Sequence, residues 1–243
     1  MKFIFLLLLA SLLCTLSHAQ NVGIGTSTPS STAVLDISSN TKGFLPPRMD
    51  STARNAIASP ALGLTIYNTS IKAIQCFNGT AWYSTVHYAG EAYGGGIVFY
   101  IYDNGQHGLI ASTADQSTGT RWYPGTYLHT MATADGIEAG KANTAISIAS
   151  QGYGDGVSYA ARFCNEYSIT VGGVTYGDWY LPSYFELSLL YLKRFVVGGF
   201  ANSSYWSSTE FDYYYAFNLV FTFGQQSYDF KNNSYHVRAI RAF

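Results

Sequence analysis

The residues best suited to a chemical role lie near the end of the chain, in the stretch 211–236. This stretch is crowded with tyrosine, phenylalanine, asparagine, aspartate and serine. Tyrosine offers a large, stiff contact area at a small entropic cost, while serine and asparagine offer adaptable hydrogen bonds. The mixture is typical of noncovalent binding rather than catalysis. The candidate contact residues are Phe211, Asp212, Tyr213, Tyr214, Tyr215, Asn218, Val220, Thr222, Ser227, Tyr228, Asp229, Phe230, Asn232, Asn233, Tyr235 and His236.

Alternation along 216–224 divides part of this stretch into two faces if it forms a strand. The odd-numbered side chains are all apolar and should face the core, which leaves Phe223 outside the candidate site. The even-numbered face carries Asn218, Val220 and Thr222. We expect this second face to lie at the surface, where changes of side chain are tolerated without unfolding the domain.

Three consecutive tyrosines at 213–215 give a second reason to expect a displayed surface. They cannot all point inward on a strand, so at least one should be exposed. The ordinary alternative for such aromatic residues is burial in the core, and for Asp229 and His236 it is a surface position without a ligand. Two fold-like segments, 205–210 and 237–243, bracket the stretch and should position it.

Motifs for catalysis and metal binding are absent from the sequence. It contains no Gly-x-Ser-x-Gly elbow, no His-Glu-x-x-His and no phosphate loop, and Gly94-Gly95-Gly96 lacks the lysine of a phosphate cradle. Asp103-Asn-Gly105 lacks the later carboxylates of a calcium loop, which favours a turn. Cys76 and Cys164 have no nearby histidines, and we expect two separately buried thiols. We therefore expect no enzyme, metal or cofactor.

Composition limits the classes of partner. The chain has 243 residues, of which 11% are charged, and a net charge of −1. Such a balance provides no electrostatic attraction to nucleic acid or to an anionic membrane. A hydrophobic fraction of 48% is enough for a packed core, and the length suits one medium domain with a smaller module.

The N-terminus has the features of a secretory signal peptide. Lys2 supplies a positive charge, 3–13 is an apolar run that contains one serine, and Ser17-His18-Ala19 is a small-x-small cleavage site. The alternative is a membrane anchor, but the apolar run is too short to span the bilayer. The leucine before Cys14 argues against lipidation. We expect cleavage of 1–19, no transmembrane segment, and a secreted or cell-surface location in a Gram-negative-type bacterium.

A small β-rich module is predicted over 20–84. Short strands are expected at 33–37, 64–67, 74–77 and 80–83, and Asn78-Gly79 is a strong signal for a tight turn. So short a module has little core of its own and would be stabilised by oligomerisation.

A larger α+β domain is predicted over 85–243. Its first and last strands are expected to pair. Trp122 and Tyr123 should be buried anchors, and Ser183 with Glu186 forms a capping box at the start of a helix. Strands are predicted at 97–102, 107–111 and 179–181, and helices at 143–149 with Asn143 as its cap, at 157–167 and at 183–195.

The N-terminal module contains the motifs Val22-Gly-Ile-Gly, Lys42-Gly-Phe-Leu-Pro-Pro-Arg-Met49, Gly63-Leu-Thr-Ile-Tyr-Asn68 and Phe77-Asn-Gly-Thr-Ala-Trp82. In these motifs it is similar to a module found in bacterial surface proteins and phage tail fibres. This resemblance implies a stalk or base, often associated as a trimer, that presents the domain following it. A homotrimer is therefore expected.

The larger domain contains the motifs Gly95-Gly-Ile-Val-Phe-Tyr, Asp178-Trp-Tyr-Leu-Pro-Ser183, Glu186-Leu187, Tyr205-Trp-Ser-Ser-Thr-Glu210 and Val237-Arg-Ala-Ile-Arg241. In these motifs it resembles the C-terminal domain family of bacterial collagen-like adhesins. The resemblance implies a C-type-lectin-like fold of the formylglycine-generating-enzyme branch. The calcium-lectin signatures Glu-Pro-Asn and Trp-Asn-Asp are absent, so the fold does not by itself imply a carbohydrate ligand.

Within that family the tail also resembles the variable proteins of diversity-generating retroelements. In those systems adenine-directed mutagenesis of asparagine codons reaches Tyr, Asp, Ser, Phe, Val, Thr and His, but not Lys, Glu, Gln, Trp or Met. All the candidate contact residues fit the reachable set, whereas Gln225, Gln226 and Lys231 do not. Phe217 stands where the family carries tryptophan, and its status as fixed or variable stays open. The scaffold implied by the resemblance includes Trp179, Pro182, Trp206, Glu210, Gly224, Arg238 and Arg241.

Three functions follow as hypotheses. The first is an exported, noncatalytic adhesion protein that binds a protein or glycan through the tail. The second is a structural protein of the cell envelope whose tyrosine cluster packs on itself or on a neighbouring subunit. The third is an enzyme of the formylglycine-generating type, which is disfavoured because Cys164 is the sole cysteine of the larger domain.

Overall fold

The structure is a computed structural model that describes residues 21–243, so the predicted signal peptide lies outside the described residues. The N-terminal part contains short strands and one short helix. They are β1 (Val22–Ile24), β2 (Leu35–Ile37), β3 (Arg48–Met49), α1 (Ser51–Asn55), β4 (Thr65–Asn68), β5 (Ala73–Phe77) and β6 (Trp82–Ser84).

These strands form two small sheets, a parallel β1–β2 pair and a four-stranded sheet in the order β3-β4-β5-β6. The Asn78 side chain accepts hydrogen bonds from the backbone N–H groups of Thr80 and Ala81, which closes the predicted tight turn between β5 and β6. The sheet buries few apolar side chains, chiefly Ile66 and Ala73. Its small core agrees with the expectation that this module would gain from oligomerisation.

The C-terminal part alternates strands with helices. Its elements are β7 (Ala92–Tyr93), β8 (Gly96–Tyr102), β9 (His107–Ala111), β10 (Ser117–Thr120), α2 (Ala139–Gln151), α3 (Ala160–Asn165), β11 (Ile169–Val171), β12 (Val174–Tyr176), α4 (Tyr184–Leu192), α5 (Arg194–Val197), β13 (Ser204–Glu210), β14 (Tyr215–Val220), β15 (Gln225–Phe230), β16 (Tyr235–Val237) and β17 (Ile240–Ala242).

Three sheets organise this part of the chain. A five-stranded sheet has the order β10-β16-β13-β14-β15, a four-stranded sheet has the order β17-β9-β8-β7, and β11 pairs with β12. The prediction of a mixed α+β architecture is confirmed. The predicted β8–β9 hairpin is also confirmed, with a short 3-10 turn at Asp103–Gly105.

The prediction that the first and last strands pair is wrong. The last strand, β17, pairs with β9, where Ile240 lies opposite Ala111. The reason is that β8 already has a neighbour on each side, β9 from the hairpin and β7 from the preceding turn. The free edge left for the C-terminus is therefore that of β9.

Strand β13, an inner strand of the five-stranded sheet, is covered on both faces. Trp206 belongs to one apolar cluster together with Trp122 and Trp179, whereas its neighbour Tyr205 belongs to another with Leu187. Consecutive strand residues point to opposite faces, so β13 has core on both sides. Trp122 and Tyr123 are buried, as predicted.

Two helices begin at places other than those predicted. Asn143 does not cap a helix; it is buried inside α2, where its side chain bonds both the N–H and the carbonyl of Ala134. The cap is supplied from a distance instead, because the Glu186 carboxylate accepts the N–H groups of Glu138 and Gly140. The second predicted helix shortens to α3, since Val157 is exposed and lies before its start.

The helix at Ser183 begins as predicted. Ser183 accepts the N–H of Glu186, and Glu186 accepts the N–H of Ser183, so the capping box is confirmed. The helix ends at Leu192, and α5 follows and ends at Val197, with Gly198 as its C-cap. The strand predicted at 179–181 reduces to a single bridge between Tyr180 and Ile240.

Both cysteines in the described range are free thiols, Cys164 buried and Cys76 half-buried. Burial raises the pKa of the Cys164 thiol. Over residues 21–243, no helix has the length and apolar character needed to cross a membrane. The same range contains no group of three or more His, Cys, Asp or Glu side chains placed to hold a metal ion.

Candidate ligand-binding surface

The turn between β13 and β14 displays three aromatic side chains. Asp212 closes this turn, because its carboxylate accepts the N–H groups of Tyr214 at 2.7 Å and Tyr215 at 2.8 Å. The Tyr215 carbonyl accepts the N–H groups of Phe211 and Asp212 on the other side. With its backbone bonded in this way, the turn leaves Phe211, Tyr213 and Tyr214 exposed.

A buried ion pair lies beneath the turn. Lys231 Nζ is 2.6 Å from Glu210 Oε1, and both side chains are 1% exposed. The same ammonium donates to the carbonyls of Leu128 and Tyr213, and the Glu210 carboxylate accepts the N–H groups of Thr130 and Met131. The pair therefore ties together the turn, the end of β15 and the loop at 128–131.

The surroundings of this pair lower the pKa of both partners. Burial alone would raise the pKa of Glu210, but the Lys231 ammonium and the N–H of Thr130 outweigh burial and lower it. Burial lowers the pKa of Lys231, and the Glu210 carboxylate opposes that shift. The Trp122 ring lies 4.9 Å from Lys231 Nζ and adds a cation–π contact.

A shallow aromatic cleft lies beside the turn, on β14 and β15. Phe211 stacks on Tyr228 with ring centroids 4.3 Å apart and an angle of 9° between the planes. Phe217 meets Phe211 edge-on at 5.2 Å. Together with Gln226 and Ser227 these residues line a cleft of about 620 Å³, a size within the usual range for ligand sites.

More aromatic side chains extend this surface. Tyr215 packs on Phe230 at 4.4 Å, and Tyr213 meets Tyr214 at 4.7 Å. We call the whole set the aromatic surface. Its members are Phe211, Tyr213, Tyr214, Tyr215, Phe217, Tyr228 and Phe230.

Sequence reasoning missed the loop that borders the aromatic surface. Tyr127 lies 5.4 Å from Tyr214 and 4.7 Å from Tyr123, and His129 lies 5.5 Å from Tyr213. The available signal was the density of aromatic residues just after Trp122 in a segment predicted to be irregular. The local pattern did not indicate that this loop would meet a turn roughly ninety residues later. The connection is made by Glu210 and Lys231, which lie far from the loop in the sequence.

Several polar candidates bond to one another near the end of β15. The Asp229 carboxylate accepts from Tyr235 Oη at 2.5 Å, from Asn233 Nδ2 at 2.7 Å and from the N–H of Phe230. Burial and the bond to Asp229 raise the pKa of Tyr235 to about 12. Asn232 is exposed beside this network, and Ser227 is half-buried.

The predicted alternation is wrong at two positions. Asn218 is 1% exposed, since β14 is an inner strand and Asn218 lies opposite Trp206, which belongs to a buried apolar cluster. Phe223 is 76% exposed, since β14 ends at Val220 and the chain turns before it continues as β15. Val220 is half-buried, and Thr222 is exposed in that turn at the far end of the hairpin from Asp212.

His236 also lies inside rather than on the aromatic surface. Its Nδ1 is 2.8 Å from the Asp115 carboxylate, and its ring packs 5.1 Å from Tyr205. The reason is that β16 lies between β10 and β13 and is not an edge strand. This placement is unsuited to the contact with a ligand that the sequence predicted for His236.

The predicted scaffold residues lie around the aromatic surface rather than on it. Trp179, Pro182 and Trp206 are buried. Arg238 is fully buried and donates to Asp115 at 2.7 Å and to the carbonyl of Ser112.

The last two scaffold residues have their own constraints. Arg241 is half-buried and pairs with Asp178 at 2.7 Å. Gly224 has a φ of 73°, and a side chain there would collide with the ring of Tyr191.

Comparison with known proteins gives a partial match. Residues 23–129 match the family described as "Phage tail like trimerisation region". The match spans the predicted stalk module and continues through β10 to His129, and it ends before the aromatic surface. No curated protein matches the chain.

Proposed function

We propose that this protein is an exported, noncatalytic adhesion protein that binds its ligand through the aromatic surface. The observation that carries the proposal is a set of exposed aromatic rings on a backbone held from below by the buried Glu210–Lys231 pair. Rigid aromatic anchors lose little entropy on binding, so a preorganised turn of this kind favours affinity.

Exposure and packing support the choice of residues. Tyr214 is 50% exposed and packs against Tyr213 and Tyr127, whereas Tyr228 is 52% exposed and packs against Phe211, so both belong to groups of aromatic rings rather than standing as isolated surface residues. Clusters of exposed aromatic side chains mark interaction sites, and tyrosine is enriched among residues that dominate binding energy.

We infer that the N-terminal part is a trimeric stalk. The match to a trimerisation region supports this inference, as does the small core of the module. Several apolar side chains within residues 22–45 are exposed and therefore available for contact between copies: Val22, Ile24, Val34, Leu35, Phe44 and Leu45. Three copies would present three aromatic surfaces and increase avidity without any new contact.

We also propose that the larger domain has a C-type-lectin-like fold whose tail is diversified by a retroelement. The division of the tail into buried and exposed side chains supports this proposal. Glu210 and Lys231 are buried, whereas the candidate contact residues Tyr213, Tyr214 and Tyr228 are exposed. Asn218 and His236 would then be positions at which diversification is restricted by packing. The surrounding DNA should hold a near-copy of the 205–243 coding segment that differs at adenines, beside a reverse transcriptase.

A structural role in a fibre is the second candidate, and the match to a phage tail-like region favours it. In that case the aromatic surface would pack against a neighbouring subunit and be covered in the assembled protein. Accessibility of the tyrosines to solvent in the purified oligomer separates the two candidates.

Binding to glycan and protein arrays tests the proposed function. We expect one ligand class to be retained, and the double variant Tyr214→Ala with Tyr228→Ala to lose at least about tenfold in affinity, or ~1.4 kcal/mol. Tyr83→Ala is the matched control, an exposed tyrosine in the N-terminal part. Equal binding by the double variant and the control would refute the role of the aromatic surface.

A further inference from the structure

The outer edge of the five-stranded sheet runs along the aromatic cleft. β15 is the last strand of that sheet, and it pairs with β14 on one side without any bulge, from Tyr215 opposite Phe230 to Val220 opposite Gln225. Edge strands are commonly protected by lysine, proline or a bulge. The segment 225–230 contains neither residue type and has regular pairing.

The backbone bonds show which groups of β15 face outward. The N–H of Lys231 donates to the carbonyl of Tyr214, so Lys231 points toward β14. Since bonded and non-bonded pairs alternate in an antiparallel ladder, Asp229, Ser227 and Gln225 point the same way. The N–H and carbonyl groups of Gln226, Tyr228 and Phe230 therefore point away from β14.

The backbone N–H and carbonyl of Phe230 have partners nearby, so the open part of the edge is limited to Gln226 and Tyr228. Its N–H donates to the Asp229 carboxylate, and its carbonyl accepts the N–H of Asn233. Across residues 21–243, the backbone of Gln226 receives no partner at this edge, and the carbonyl of Tyr228 receives only a 3.5 Å contact from Ser227 Oγ. Two N–H groups and two carbonyls are thus available at the spacing of a β-strand.

The open edge and the aromatic cleft share residues. Gln226, Ser227 and Tyr228 line the cleft together with Phe211 and Phe217, and none of these side chains is charged. A strand added beside Gln226 and Tyr228 would place alternate side chains over the same face, against the Phe211–Tyr228 stack.

We propose that the ligand is a polypeptide, bound as an extended segment that adds to β15 through the backbone of Gln226 and Tyr228. This inference rests on the proposed function and assigns the class of partner. The segment would carry uncharged apolar side chains at alternate positions, because the cleft offers no charged group. Strand addition takes its affinity from main-chain hydrogen bonds and its specificity from alternate side-chain pockets.

A second copy of this chain is a poorer occupant. Two β15 edges that pair with each other are related by a two-fold axis, which differs from the three-fold symmetry of a trimeric stalk. Such pairing would join trimers into larger assemblies. A glycan is also a poorer occupant, because it has no backbone amide groups to match the open edge.

The experiment uses the full mature chain and linear peptides selected from a random displayed library. The selected peptides are resynthesised with single N-methyl groups at each backbone nitrogen in turn. We expect affinity to fall at least about tenfold at alternate nitrogens and to change little at those between, as expected for one bonded edge. Uniform tolerance of N-methylation would overturn strand addition.

A pair of protein variants tests the same edge from the other side. Gln226→Pro removes an outward N–H while the bonds to β14 remain, and proline is tolerated at such positions. Gln226→Ala removes the same side chain and keeps the N–H, so the excess loss in the proline variant isolates the backbone bond. We expect the proline variant to bind at least about tenfold more weakly than the alanine variant. Equal binding by the two would refute the proposal.

The outcomes separate this proposal from the proposed function. Where Gln226→Pro does not fold, judged by its thermal unfolding, the N-methyl series alone decides. If Tyr214→Ala with Tyr228→Ala abolishes binding but the proline variant and the N-methyl series do not, strand addition fails and adhesion stands. A glycan as sole ligand would overturn the polypeptide partner. Sedimentation showing assembly of trimers that Gln226→Pro abolishes would make a second copy of this chain the occupant and overturn the proposal of a separate polypeptide ligand. If the tyrosine variant binds normally, the proposed function itself fails.

Discussion

Lys231 Nζ lies 2.6 Å from Glu210 Oε1 at a place where neither side chain reaches solvent. The two residues are separated by the whole β14–β15 hairpin, which carries most of the aromatic surface. Each also bonds to the loop at 128–131. The charged pair therefore supports the backbone that carries the exposed rings. Its loss should affect folding and binding together.

Removal of one partner of this pair should be strongly destabilising. Glu210→Gln or Lys231→Met leaves an uncompensated buried charge, and we expect a loss of about 3–5 kcal/mol in the free energy of unfolding. The double variant should lose less than the sum of the two single variants, because no lone charge remains. Urea unfolding followed by circular dichroism measures all three. Simple additivity would contradict the coupling.

Stability should depend on pH through Glu210. The folded-state pKa of Glu210 is lowered below the ordinary value of 4.5, so its contribution is full above about that pH and is lost as pH falls through the lowered value. Glu186 acts in the opposite direction, because burial raises its pKa. The difference in unfolding free energy between wild type and Glu210→Gln isolates Glu210. We expect this difference to shrink as the pH falls below about 5. A difference that grew toward acid pH would contradict the assignment to Glu210.

Gly224 should not tolerate a side chain. Its φ of 73° is strained for other residues, and a Cβ would also collide with Tyr191. Gly172 is the matched control, since its φ is 59° and its surroundings are open. Left-handed backbone costs about 1–2 kcal/mol, which we expect for Gly172→Ala, with a larger loss for Gly224→Ala. Thermal unfolding of both variants checks this, and equal losses would exclude the collision.

Charges on the exposed apolar residues of the N-terminal part should weaken the trimer. Leu35→Asp and Phe44→Asp place a carboxylate where contact between copies is proposed, and burial of an unpaired charge is costly. Val174→Asp is the control, an exposed apolar residue of the β11–β12 hairpin. Light scattering after size-exclusion chromatography should show a trimer for the control and smaller species for the other two. Trimers in all three cases would place the interface elsewhere.

Local sequence was sufficient for features that depend on neighbours in the chain. The β8–β9 hairpin follows from an apolar run and a turn, and the start of α4 follows from Ser183 and Glu186, because each involves residues a few positions apart. At least one of the tyrosines at 213–215 was expected at the surface, since three adjacent strand residues cannot share one face. Tyr213 and Tyr214 are exposed, although they lie in the turn before β14 rather than on a strand.

Tertiary structure decided the positions whose surroundings come from distant segments. Asn218 and His236 have residue types suited to a surface, yet both lie on inner strands, Asn218 opposite Trp206 and His236 opposite Tyr205. Asn143 looked like a cap, but Glu186 reaches the start of α2 from across the domain. Tyr127 borders the aromatic surface because the Glu210–Lys231 pair binds its loop. Composition and alternation describe one segment at a time, whereas burial depends on what packs against that segment.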